Sequence, residues 1–151
     1  MIDEKLVALD ITLPIPPKPA GSYIPVVKTG NLVFVSGQIP MKDGQVQFKG
    51  QVPSGISIEN AQEAAKLCII NALAQLKSEF GTLDKISRIV RVSGFVNSSQ
   101  EFFEQPKIIN AASDLLFDIF GEKGKHARIA VGVASLPLNS AVEIDLIAEV
   151  I

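Results

Sequence analysis

Apolar positions along this chain recur with two periods, and the changes from one to the other mark out its elements. After Ser57, the residues Ile58, Ala61, Ala65, Cys68, Ile69, Ala72, Leu73, Leu76 and Phe80 recur every three or four positions, which places them on one stripe of a long helix. Ser57 suits the N-cap and Gly81 the C-terminal stop. A second stripe, Ile109, Ala112, Leu115, Leu116, Ile119 and Phe120, runs from about Pro106, a good first-turn residue, to Gly121. Elsewhere the period is two. Residues Asn31 to Gly37 are apolar on both faces, as in a strand covered on both sides. Gln45 to Lys49 alternates after the turn signal Lys42-Asp43-Gly44. Ile86 to Val96 alternates, with Ile86, Val90, Val92 and Val96 on one face and Ser87, Arg91 and Ser93 on the other. Ala127 to Ala134 and Ala141 to Val150 alternate as well, separated by a turn at Leu136 to Ser140.

Prolines 14, 16, 17, 19 and 25 exclude helix and central strand from residues 14 to 25. Residues 1–19 are therefore predicted to be an extended arm, and residues 20–151 a single domain. The order of elements is strands, helix, strand, helix, two strands. It predicts an α+β domain with two helices packed on one face of a mixed sheet.

Composition narrows the function classes. A chain of 151 residues, 47% hydrophobic and 20% charged, fits one ordinary domain with its own core. The net charge of −2 provides no long-range attraction for nucleic acid or anionic lipid. Cys68 is the only cysteine, which matches a reducing, cytoplasmic setting. Met1 to Lys5 lacks the basic start of a secretion signal, and no run approaches the roughly 18 apolar residues of a membrane span. One histidine and one cysteine do not make a three- or four-ligand soft-metal site, so metal catalysis is not expected.

The last two strands carry the most suggestive side chains. In Ala127 to Ala134, the apolar Ile129, Val131 and Val133 are read as facing the helices, leaving Arg128 above a strip of small residues, Ala130, Gly132 and Ala134. Small residues in a strand mark a close approach by a ligand or another chain. In the final strand, Val142, Ile144, Leu146, Ala148 and Val150 form the apolar face, and Glu143 and Asp145 begin the other. Matching apolar faces then puts Arg128 and Glu143 on the same, non-helical face. In a tight hairpin Glu143 sits opposite about Ala134, and at about 3.3 Å per residue it is roughly 20 Å from Arg128. The two side chains would then cooperate only across a subunit interface. Plainer readings stand beside this one. A strand-start arginine is more often a surface ion-pair residue, and Glu143, Asp145 and Glu149 resemble a solvated strand face. His126 reads as a polar loop residue and Cys68 as core. Gly121-Glu122-Lys123-Gly124-Lys125 lacks the spacing of a P-loop and reads as a helix stop followed by a solvated linker.

Two separated motifs go further. Gly30-Asn31-Leu32-Val33-Phe34-Val35-Ser36-Gly37-Gln38-Ile39-Pro40, and Ala127-Arg128 leading through Leu136-Pro137 to Val142-Glu143-Ile144, closely resemble the Rid/YjgF family of enamine/imine deaminases, in its longer-chain branch. Older names for such proteins include endoribonuclease L-PSP and translation initiation inhibitor. The resemblance runs from about Ala20 to Val150. It implies a homotrimer of chorismate-mutase-like subunits with a ligand cleft at each interface, small imine or keto-acid ligands, and no cofactor. It implies that Arg128 clamps a substrate α-carboxylate and that Glu143 positions and activates water. Tyr23, Ser36, Gly37 and Asn110 match cleft residues of the family. Ala130 stands where the family often has cysteine, a position contributing mainly backbone. His126 replaces a proline, Gly132 and Ser135 replace larger charged residues, and Gly21-Ser22-Tyr23-Ile24 departs from the usual entry segment, so substrate range is open. The expected activity is hydrolytic deamination of 2-imino acids to 2-keto acids and ammonia. The alternatives are a non-catalytic carboxylate-binding regulator and an endoribonuclease acting as a translation inhibitor. An acidic balance and few aromatics weigh against the last of these.

Overall fold

Ser57 starts the longest helix, α2 (Ile58–Phe80), by accepting the Asn60 N–H on its Oγ at 3.1 Å. Gly81 ends it in the left-handed region at φ 78°, where glycine carries no Cβ penalty. The stripe expected from the sequence is the buried one: Ala61, Ala65, Cys68, Ile69, Ala72, Leu73 and Leu76 are all inaccessible to solvent. The second long helix, α3 (Gln105–Phe120), buries Ile108, Ile109, Ala112, Leu116, Ile119 and Phe120. These elements belong to a computed structural model that describes every residue except Pro17 and Ala20. That part of the expected arm, and the residue at which the domain was expected to begin, lie outside the described residues.

Both helices cover one face of a five-stranded mixed sheet. Its strands are β1 (Val26–Thr29), β2 (Leu32–Gln38), β5 (Ile86–Asn97), β6 (Ala127–Val133) and β7 (Val142–Val150), in the order β1-β2-β7-β5-β6. All neighbours are antiparallel except β5 and β6. A small ribbon of β3 (Met41–Lys42) and β4 (Gln45–Val46) turns at Asp43 and Gly44, both at positive φ, as the turn signal predicts. Gly94 of β5 lets α3 settle directly onto the sheet. A Cβ there would lie 2.6 Å from Ile109 Cδ1, so any larger residue would lift the helix.

Four expectations change. The arm is not extended throughout: Ile2–Ala8 form a short helix, α1, whose Leu6 enters the core and whose Ile2 N–H donates to Asp84 Oδ1 at 2.9 Å. Strand β1 follows directly on Pro25 and was not expected. In the first half of β5 the buried residue is Ile89 and not Val90, because register shifts at Ile86/Arg88 and Ile89/Arg91 break the period of two.

The fourth change matters most. β6 and β7 do not form a hairpin, since β5 lies between them. The path β5–α3–β6 is a strand–helix–strand crossover, and such a connection yields a parallel pair. The faces of β6 are also the reverse of the expectation. Arg128, Ala130 and Gly132 pair with Val92, Gly94 and Val96, which face the helices. Ile129 and its alternates therefore look out from the open side, Ile129 being 40% exposed. The small residues lie on the α3 side, and a Cβ on Gly132 would meet the side-chain ends of Gln105 and Ser98, each 2.7 Å away. β2 repeats the pattern. Val33 and Val35 are buried against the helices, whereas Leu32 and Phe34 remain 38% and 41% exposed, so one chain covers only one of its two apolar faces.

Candidate active site

Arg128 points under α3 and is held there by neutral groups. Its Nη1 donates to Asn110 Oδ1 at 2.8 Å and to Ser113 Oγ at 3.2 Å. Asn110 and Ser113 are three residues apart and so share one helix face. Behind Ser113 stands His126, whose Nε2 is 2.9 Å from Ser113 Oγ and whose Nδ1 is 2.6 Å from the Gly124 carbonyl. Burial lowers the His126 pKa, the Gly124 hydrogen bond opposes that, and the Arg128 charge lowers it further. Gly124 closes a one-turn 3₁₀ helix, Gly121–Gly124, and is itself buried. A Cβ on it would collide with the Leu116 carbonyl of α3. The segment read as a solvated linker is therefore a packed turn that presents a carbonyl to His126.

Among the described residues, Arg128 has no carboxylate partner. Its Nη2 and Nε donate to nothing among them, while both Nη1 hydrogens have acceptors. A guanidinium anchored at one nitrogen keeps its Nη2–Nε edge, which matches the two oxygens of a carboxylate. Ala130 follows two residues along the same face, half-buried and packed against the core.

Glu143 lies on the other side of the sheet. It shares the open face with Phe95, its partner on β5. Its carboxylate lies against Gly37: a Cβ there would collide with Glu143 Oε2 and lie 3.1 Å from Cδ. Gly37 belongs to a bulge in which β2 changes register against β7, Val35 pairing with Leu146 and Gln38 with Ile144. Ser36, in the same bulge, donates from Oγ to the Ile24 carbonyl at 2.9 Å and from N–H to the Pro25 carbonyl at 2.9 Å. These bonds tie the segment carrying the exposed Tyr23 to the end of β2. Burial raises the Glu143 pKa above its ordinary value, and the neighbouring Asp145 adds to the shift.

The expected site residues thus form two groups. Arg128, Asn110 and Ala130 lie at the β6–α3 edge; Glu143, Gly37, Ser36 and the Tyr23 segment lie at the β2–β7 bulge. Phe95 pairs with both Val131 and Glu143, so Glu143 is two strands across from a residue three beyond Arg128. That amounts to about 10 Å along the strands and about 10 Å across them, on opposite faces. Within one chain the groups do not meet. Cys68 is core, its thiol donating to the Val142 carbonyl at 3.6 Å and its pKa pushed well up by burial. Of the polar partners at the Arg128 end, Ser113 is not marked out by pattern reading, and His126 reads there only as a polar loop residue. The spacing from Asn110 was a signal for Ser113, whereas the placement of His126 depends on the packed turn before it.

The family described as "YjgF/chorismate mutase-like, putative endoribonuclease" matches residues 3–150. The chain belongs to the YjgF family. The match takes in α1, so the family likeness begins well before Ala20. Among solved structures, a protein of unknown function from Agrobacterium tumefaciens superposes with a TM-score of 0.93 at 46% identity, covering 99% of this chain and 92% of that one. The Trypanosoma cruzi protein TCP17 is 42% identical over 93% of this chain and 89% of its own length. A 2-iminobutanoate/2-iminopropanoate deaminase of Dermatophagoides farinae is 34% identical over 91% of this chain and 92% of its own. The YjgF fold is therefore shared along nearly the whole chain. Among the described residues no helix is long and apolar enough to cross a membrane.

Proposed function

We propose that this YjgF protein hydrolyses small reactive 2-imino acids to 2-keto acids and ammonia, in clefts formed between the subunits of a homotrimer. The observation that carries the reading is the state of Arg128: a half-buried guanidinium fixed by neutral Asn110 and Ser113, with one edge left for a carboxylate. An arginine meant only for an ion pair would have its acid beside it. The likeness to an iminobutanoate/iminopropanoate deaminase supports the same class of ligand.

The two groups of residues explain the need for a second copy. Cyclic assembly would set the β6 edge of one subunit against the open face of the next, joining Arg128 of one to Glu143 of its neighbour. The apolar residues on that open face, Val27, Leu32, Phe34 and Ile129, are 38–46% exposed in the single chain and supply the surface for it. In the cleft Arg128 holds the substrate carboxylate, and a water beside Glu143 attacks the imine carbon. The new C–O bond forms as the C=N π pair moves to nitrogen, and the water proton passes to Glu143. Glu143 then returns that proton to the amine. Glu143 next takes the proton of the new hydroxyl and passes it to the nitrogen as the C–N bond breaks, so that the carbonyl forms and ammonia leaves. A carboxyl with a raised pKa serves both transfers better than an ordinary one. Tyr23, Ser36 and Gly37 would line the Glu143 side of the cleft, and Asn110 and Ala130 the Arg128 side.

The test generates the imine in situ with an amino-acid oxidase and traps what survives with semicarbazide. The protein should lower the trapped fraction, and Arg128→Ala should abolish the effect. Trapping that is unchanged by the protein would refute the proposal. If the chain instead binds small carboxylates without turnover, saturable 2-oxobutanoate binding that depends on Arg128 will persist without any loss of imine.

A further inference from the structure

We infer that Ser113 and His126 form a hydrogen-bonded relay that sets the orientation of Arg128, making both of them positioning residues for the carboxylate clamp. The inference rests on the reading of Arg128 as that clamp.

The direction of every proton in the relay follows from its far end. The Gly124 carbonyl has no hydrogen to give, so His126 Nδ1, at 2.6 Å, must carry one. The neutral ring then has a bare lone pair on Nε2. That lone pair, 2.9 Å from Ser113 Oγ, takes the hydroxyl proton. With its own hydrogen committed, Ser113 can offer Arg128 only lone pairs, and Nη1 donates to one of them at 3.2 Å. The other Nη1 hydrogen goes to Asn110 Oδ1 at 2.8 Å. Each donor has one acceptor and each acceptor suits its donor, so the set is satisfied in a single arrangement.

The consequence is geometric. A serine free to rotate could present its hydrogen to the guanidinium, an arrangement that repels. His126 removes that alternative. With both Nη1 hydrogens fixed, rotation about the last bonds of the arginine is stopped, and the Nη2–Nε edge faces one direction before a ligand arrives. The histidine must be neutral for this, and burial together with the Arg128 charge favours the neutral form. The turn that supplies the carbonyl is equally constrained, since Gly124 admits no side chain. The relay thus links a backbone carbonyl, one loop residue, one helix residue and the clamp, across three elements.

His126 is the chain's one histidine, so its ring nitrogens can be observed without assignment ambiguity. In ¹⁵N-labelled protein at neutral pH, the ring should show a protonated Nδ1 and an unprotonated Nε2 that accepts a hydrogen bond, and Ser113→Ala should shift the Nε2 resonance. Binding of 2-oxobutanoate to the intact oligomer, measured by calorimetry, supplies the second readout. Ser113→Ala and His126→Phe should each weaken binding about fivefold, the scale of one lost hydrogen bond. His126→Gln, whose amide oxygen reaches the Nε2 position, should recover most of that loss. Turnover should show the change mainly in KM, as expected for a group that acts on ground-state carboxylate binding. Wild-type affinity in Ser113→Ala and His126→Phe, with Arg128→Ala still binding-deficient, would overturn the relay and leave the clamp standing. Undiminished binding in Arg128→Ala would instead remove the clamp reading itself. An Nε2-protonated ring at neutral pH would overturn the relay even if every variant proved unstable.

Discussion

Arg128 and Glu143 lie on opposite faces of one sheet, two strands apart, with β5 between the strands that carry them. Arg128 is drawn under α3 by Asn110 and Ser113. Glu143 is pressed against Gly37 on the face that no helix covers. Each residue therefore belongs to a different surface of the protein. In the proposed reaction, chemistry that needs both would be assembled from two copies, with the proposed clamp on one surface and the proposed base on the other.

Glu143→Gln should lose imine hydrolysis and gain stability at neutral pH. Burial and Asp145 raise the Glu143 pKa in the folded protein above its ordinary value of 4.5. Between those two values the folded state holds a proton that the unfolded chain has released, so stability falls as pH rises through that window. At neutral pH the ionised carboxylate is a penalty that glutamine lacks. Because the group is partly solvated, the gain is small, on the order of 2 °C in Tm. Scanning calorimetry at pH 7 and pH 4 checks this: the difference between variant and wild type should shrink at the lower pH.

His126 should produce the opposite slope. Its folded pKa is lowered from 6.5, mainly by burial. Below 6.5 the unfolded chain takes up a proton that the folded protein resists, so this contribution is complete above 6.5 and is lost as pH falls through the folded value. Urea unfolding between pH 7.5 and pH 5 should show stability decreasing towards acid, and His126→Gln should flatten that part of the curve. An equal slope in the variant would assign the effect to other groups.

Ile129→Asp should break the oligomer without unfolding the subunit. Ile129 is 40% exposed on the open side of β6, so a charge there meets water in the single chain and meets a buried surface in an assembly. Sedimentation should show a smaller species that keeps its far-ultraviolet circular dichroism and has lost imine hydrolysis. An unchanged sedimentation coefficient would separate that face from any subunit contact.

The helices were legible because their signals are local. α2 carries its cap, its stripe and its glycine stop within 25 contiguous residues, Ser57 to Gly81. α1 escaped notice because seven residues with one buried leucine show no period. The strands of the site were found, but the faces of β6 were reversed. Apolar alternation suggests that Ile129 faces the helices, yet Ile129 looks away from them, and Ala130, beside the Gly94 on which Ile109 of α3 rests, lies on the helix side with Gly132. The helix between β5 and β6 was itself a signal of parallel pairing, and it argues against the hairpin assumed for β6 and β7. Arg128 and Glu143 stood out through their resemblance to a family pattern. Ser113 did not, and His126 reads only as a polar loop residue, because their bonds depend on how α3 lies against β6 and on the turn at Gly124.

The most direct test of a shared active site mixes two inactive variants. Arg128→Ala and Glu143→Gln homo-oligomers should each fail to hydrolyse imine. Co-expressed in equal amounts, they should form mixed trimers with one cleft in three joining an intact Arg128 from one chain to an intact Glu143 from the next, about a quarter of all clefts in the preparation. Recovery of about that fraction of wild-type activity is the expected result. Mixed oligomers that form, as shown by tag co-purification, and yet remain as inactive as their parents would contradict the account.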